Sequence, residues 1–158
     1  MHENVIGSVV VECAVALHRD LGPGLLETVY EVTLVRALER RGFSVQRQVA
    51  VPIEYEGETF AEGFRADLIV ESKVLLELKS VERVTPAHKK QLLTYLRLTG
   101  LKLGYLLNFG EALMRDGITR TINGSLDSIP LSPCDSMRGK DSTEELSLRR
   151  RETEGLRL

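Results

Sequence analysis

Asp67, Glu77 and Lys79 are the residues of this chain whose types and spacing could do chemistry. In the segment Val74 to Ser80, Val74, Leu76 and Leu78 alternate with Leu75, Glu77 and Lys79, so a strand there puts Glu77 and Lys79 side by side on one face. In the segment Phe64 to Val70, Ala66, Leu68 and Val70 take one face and Arg65, Asp67 and Ile69 the other. A hairpin between the two segments then brings Asp67 close to Glu77 and Lys79. Converging carboxylates repel unless a cation lies between them, and hard oxygen ligands suit Mg2+ or Mn2+. A lysine two residues past a ligating carboxylate can hold a water or a scissile phosphate oxygen. This is the chemistry of metal-assisted phosphodiester hydrolysis. Taken alone, Glu77-Leu78-Lys79 reads more readily as a same-face ion pair on a solvated strand.

The surroundings of that tripeptide carry more information than it does. Gln91 and Tyr95 follow at i and i+4, on one helix face that His88 shares, and Lys89 and Lys90 lie beside them with Arg83 just upstream. This basic patch is either a nucleic-acid contact or a solvated helix face. Nearer the start, Gly24-Leu25-Leu26-Glu27-Thr28-Val29-Tyr30 puts Glu27 and Tyr30 on one face at i and i+3, with Glu27 in a first helical turn. There it serves either the helix dipole or a site.

These residues need elements to position them. Apolar residues at helical spacing predict a first helix over Val5 to Leu21, stopped by Gly22-Pro23-Gly24, and a second over Leu25 to Arg40, closed by Gly42. The period then changes to two, predicting a strand through Val45 to Tyr55, a turn at Glu56-Gly57, a return strand, the strand Phe64 to Val70, a turn at Glu71-Ser72-Lys73 and the strand Val74 to Ser80. Thr85-Pro86 offers a capping hydroxyl and an N1 proline for a helix from Pro86 to Thr99, ended by Gly100. Leu103 to Phe109 reads as a strand covered on both faces, and Ile118 to Ile122 as an edge strand. The order is ααβββ(β)αββ.

Residues 1 to 124 form one domain in this reading. They carry 15 basic and 16 acidic residues, and the whole chain of 158 residues has net charge -2, so there is no general basic field and any nucleic-acid contact must be local. Residues 125 to 158 hold no aromatic residue, are rich in Ser, Glu and Arg, and read as a low-complexity, disordered C-terminal tail. Cys13 and Cys134 lack metal-ligand spacing and read as structural thiols of a reducing compartment. No apolar run spans a membrane and the start lacks signal-peptide character, so a cytoplasmic protein is expected. Nearly continuous apolar strands in a small domain are compatible with a homodimer.

Together, Leu21 to Tyr30, Arg65-Ala66-Asp67-Leu68, Glu77-Leu78-Lys79 and Gln91-Leu92-Leu93-Thr94-Tyr95 give a pattern that resembles the GxxExxY proteins, a family of the PD-(D/E)xK nuclease-like superfamily. The resemblance covers nearly all of residues 3 to 124. It implies an α/β fold with a restriction-endonuclease-like core of mixed sheet flanked by helices. It also implies a site of Glu27, Asp67, Glu77 and Lys79, the three carboxylates gathered around Mg2+ or Mn2+. Gln91 and Tyr95 look like the auxiliary motif of the RecB-like branch, beside the metal and the nucleic-acid strand, with Tyr30, His88, Lys89 and Lys90 near it. Ala66 stands where the superfamily pattern has a proline. A Mg2+-dependent nuclease acting on DNA or RNA is thus expected. The alternative is a non-catalytic nucleic-acid-binding or assembly module that keeps the fold.

Overall fold

The structure, a computed structural model, describes residues 1–126, the side chain of Glu62 excepted. Two helices come first, α1 (Glu3–Leu21) and α2 (Glu27–Arg40), then strands β1 (Val45–Tyr55), β2 (Glu58–Val70) and β3 (Val74–Lys79). Helix α3 (Pro86–Thr99), strand β4 (Leu103–Asn108), a 3₁₀ turn (Met114–Gly117) and strand β5 (Ile118–Ile122) complete the order. The strands form one five-stranded sheet in sequential order, β1-β2-β3-β4-β5. Only β3 and β4 run parallel, and α3 makes the crossover that a parallel pair requires; the other neighbours are antiparallel. This is the mixed sheet flanked by helices that was expected.

Each boundary has a local cause. Gly22 (φ 77°) closes α1 and Gly100 (φ 71°, left-handed) closes α3. Thr85 caps α3, with Pro86 at its first position. The bracketed fourth strand of the expected order is not a separate element. The return strand and the segment Phe64 to Val70 are one strand, β2, bent where Val51 pairs with Phe64 but Ile53 pairs with Phe60. The extra residues on β2 make a bulge, and Gly63 sits there because any Cβ would run into the Val51 carbonyl.

Two cores fill the three layers. On one face of the sheet Ile6, Val10, Tyr30, Leu34, Leu38, Leu68, Leu76, Leu78 and Leu107 pack among α1, α2 and the strands. On the other, Leu92 and Leu96 of α3 pack on Ala66, Ile69, Leu75 and Leu106. The face assignment of β3 is as expected, with Val74, Leu76 and Leu78 toward α1 and α2 and Leu75 toward α3. Strand β2 departs from it. Leu68 and Val70 pack on the α1/α2 side, but Ala66 joins the α3 side, so strict alternation fails at Asp67. Cys13 is a buried free thiol of α1, while Cys134 and the rest of the expected tail beyond residue 126 lie outside the described residues. Leu126 packs against the α1/α2 core. Among the described residues no helix is long and apolar enough to cross a membrane.

Candidate active site

Strands β2 and β3 pair from Val70/Val74 to Leu68/Leu76, and the ladder ends there. The next residues outward are Asp67 and Glu77. In place of a further ladder bond, Asp67 Oδ2 accepts the Leu78 N–H at 2.8 Å, so the carboxylate bridges the opening between the strands. Burial raises the Asp67 pKa; the Leu78 N–H and Lys79 oppose that rise, and Glu31 and Glu27 add to it. Glu77 is 6% exposed, and its pKa is pushed up to about 8, first by burial and then by the negative charge of Asp67, with Lys79 pulling the other way. Its Oε1 is buried and makes no hydrogen bond among the described residues. Such an oxygen bears an uncompensated desolvation cost. Asp67, Glu77 and Lys79 are thus brought together.

Glu27 is placed differently. It is the first residue of α2, exposed to solvent, and its Oε1 accepts the Ser80 N–H at 3.4 Å. The Ser80 hydroxyl in turn donates to the Leu25 carbonyl. An open cleft of about 510 Å³ lies here, lined by Gly24 to Thr28 and Ser80. Glu27, Asp67 and Glu77 do not form one preassembled ligand group, and among the described residues no three His, Cys, Asp or Glu side chains are set to hold an ion. The reason is local: Glu27 turns to the Ser80 amide and Asp67 to that of Leu78. The Asp67/Glu77 pair by itself fits a divalent cation, having two oxygen-donor groups, one with an orphaned buried oxygen.

Tyr30, expected at the nucleic-acid side, is fully buried and works as a clamp. Its ring stacks on Phe109 at 4.2 Å, and its hydroxyl donates to the Gly22 carbonyl (2.6 Å) and accepts the Leu25 N–H (3.1 Å). The loop between α1 and α2 is thereby tied down just before Glu27. Asn108, at the end of β4 opposite Lys79, does the same for the segment after Lys79. It exchanges bonds with Val81 N–H and C=O at 3.0 and 2.9 Å.

On α3, Tyr95 stacks face to face on Phe64 of β2 at 3.6 Å. Burial raises the Tyr95 pKa, followed by the charges of Glu77 and Asp67, while Gln91 beside its hydroxyl lowers it. Gln91 and Tyr95 therefore border the carboxylate pair. His88 is held by the cap instead, its Nδ1 accepting the Thr85 N–H at 3.2 Å. That nitrogen is not open to a ligand. Lys89 and Lys90 are exposed on the first turns of α3.

The motif reading passed over Glu31, Ser80 and Asn108. Glu31, one turn after Glu27, is a carboxylate on the buried stripe of α2; Asn108 is the polar end of an otherwise apolar strand. Both patterns are visible in the sequence.

The family model of the PD-(D/E)XK nuclease superfamily matches residues 4–121, well over half the chain. The chain belongs to that superfamily. No curated protein and no solved structure gives a match. In this PD-(D/E)XK chain the matched span runs from α1 into β5 and takes in every residue of the site described above.

Proposed function

We propose that this PD-(D/E)XK chain is a divalent-metal-dependent nuclease, a hydrolase of phosphodiester bonds in DNA or RNA, with Mg2+ or Mn2+ as its ion. The orphaned oxygen of Glu77 beside Asp67 carries the reading. Burial raises the pKa of both carboxyls and the charge of Asp67 raises that of Glu77 further; such a pair is costly for folding alone, and binding a cation offsets that cost. Nucleases of this superfamily generally depend on a divalent metal. A cation bound there supplies positive charge against the charge developing on the phosphoryl oxygens and lowers the pKa of nearby water.

The chain's own groups take the remaining roles. Asp67 and Glu77 would hold the ion, with Glu27 beside the cleft on the Ser80 side as a further oxygen donor. Lys79, on the same strand as Glu77, steadies the attacking water or a phosphate oxygen. Gln91 and the Tyr95/Phe64 stack form the wall along which the strand is oriented, with Lys89 and Lys90 next to it for phosphate contact.

The test is cleavage of single- and double-stranded DNA and RNA by purified protein with Mg2+ or Mn2+, run beside Lys79→Ala and Asp67→Ala. A genuine site loses about 100-fold or more in rate with Lys79→Ala while the fold is kept, as for removal of other charge-stabilising groups. Equal cleavage by the folded variants would sink the proposal. Stabilisation by Mn2+ without cleavage of any substrate would favour the non-catalytic binding module.

A further inference from the structure

Of the four non-glycine residues with φ in the left-handed region among the described residues, Glu56, Glu71 and Ser72 lie at hairpin turns, where such angles are ordinary. Gln48 (φ 48°) lies inside β1. The β1–β2 ladder pairs Arg47 with Leu68 and Val49 with Ala66, passing over Gln48 and Asp67 between them. The same place is where the face alternation of β2 slips. The side chain of Gln48 is hydrogen-bonded to Glu31 of α2. Glu31 is 5% exposed, and both of its carboxylate oxygens are taken by β1: Oε1 by Arg47 Nε at 2.9 Å and Oε2 by the Gln48 side-chain amide at 2.8 Å.

We propose that Glu31 is a positioning residue: by clamping Arg47 and Gln48 it puckers β1, and the pucker ends the β2–β3 ladder at Leu68/Leu76 so that the Asp67 carboxylate meets the Leu78 N–H beside Glu77. A regular β1 would let the β2–β3 ladder run on past Leu68/Leu76. The Leu78 N–H would then bond the β2 backbone in place of the Asp67 carboxylate, although Asp67 would still lie on the face of Glu77. The bend needs a residue at positive φ, a conformation that glycine adopts freely and glutamine does not. The clamp supplies what the glutamine backbone lacks. The step from this geometry to metal binding rests on the nuclease reading above; the step from Glu31 to Asp67 does not.

The experiment follows amide exchange of Leu78 by NMR, with Leu76 as internal reference, alongside calorimetric titration with Mn2+, in wild type, Glu31→Ala, Gln48→Val, Gln48→Gly and Glu31→Ala/Gln48→Gly. Glu31→Ala and Gln48→Val should speed Leu78 exchange about tenfold or more relative to Leu76, a local opening and not global unfolding. Gln48→Gly should leave it as in wild type, and the double variant should regain protection because glycine holds the bend without a clamp. A merely structural Glu31 would not be rescued by removing a further side chain. Mn2+ affinity should fall about 10-fold wherever Leu78 protection is lost, in line with other groups that orient metal ligands. Should Glu31→Ala fail to fold, Gln48→Val decides. Unchanged Leu78 protection in folded Gln48→Val, or loss in Gln48→Gly, overturns the proposal. The exchange pattern as described with no Mn2+ binding even in wild type would leave Glu31 in its role and remove the nuclease reading instead.

Discussion

Placing Glu77 on a strand covered by both cores strips water from its carboxyl, and Asp67 adds a second negative charge at close range. In the metal-free protein its pKa of about 8 lies above the ordinary 4.5, so between those values the folded chain keeps a proton that the unfolded chain releases. The stability this group supports is fully present below about 4.5 and lost as pH rises through about 8. Urea unfolding of metal-free protein should therefore give lower stability above pH 8 than near pH 4.5 from this group, and Glu77→Gln should flatten that part of the profile. A steeper loss in Glu77→Gln would contradict it. At Tyr30 the expectation is separate: Tyr30→Phe keeps the stack on Phe109 but deprives Gly22 C=O and Leu25 N–H of their partner. A loss of about 1 to 3 kcal/mol is expected from unmet backbone groups, measured by thermal or chemical unfolding.

At the level of elements, α3 is the clearest case of sequence legibility. Thr85, Pro86 and Gly100 mark its bounds by local chemistry, and Pro86–Thr99 is what forms. Thr85→Ala should cost about 1 kcal/mol through loss of the hydroxyl cap, seen as a lower unfolding midpoint and faster exchange in the first turn of α3. The alternation of β3 was equally legible, since both of its faces carry apolar residues and the period of two is unbroken. Strand β2 was not. The return strand and Phe64 to Val70 read as two elements when they are one strand bulged at Gly63, and Ala66 packs on the face opposite to the one a strict period of two gives it. Glu31 with Arg47 and Gln48, or Asn108 with Val81, are pairings between elements, and no local period encodes them.

For the whole molecule, the expectation is mass action. An ion that binds the native state at a concentration 100 times its Kd adds about 2.7 kcal/mol to stability, so Mn2+ or Mg2+ should raise the unfolding midpoint of wild type and not of Asp67→Ala. An equal rise in both would place the ion elsewhere. Net charge -2 leaves nucleic-acid binding to local cations such as Lys89 and Lys90. The salt dependence of single-strand binding should then be shallow, a slope of roughly -1.4 for two phosphate contacts, whereas a broad basic face would give a steeper one.

The α1–α2 loop, which presents Glu27, is fastened to the far end of the domain: Gly24 N–H donates to Phe109 C=O at 3.3 Å, and Phe109 is the ring on which Tyr30 stacks. Synthesis runs from the N-terminus, so α1, α2 and the β1–β3 meander all leave the ribosome before the residue that secures the loop exists. A half-made chain already holds Glu27, Asp67, Glu77 and Lys79, and the Tyr30 and Ser80 groups that bond the loop, but lacks the Phe109 ring and carbonyl on which the loop closes. The loop that presents Glu27 is therefore completed only after β4 and Phe109 are made, late in the order of synthesis.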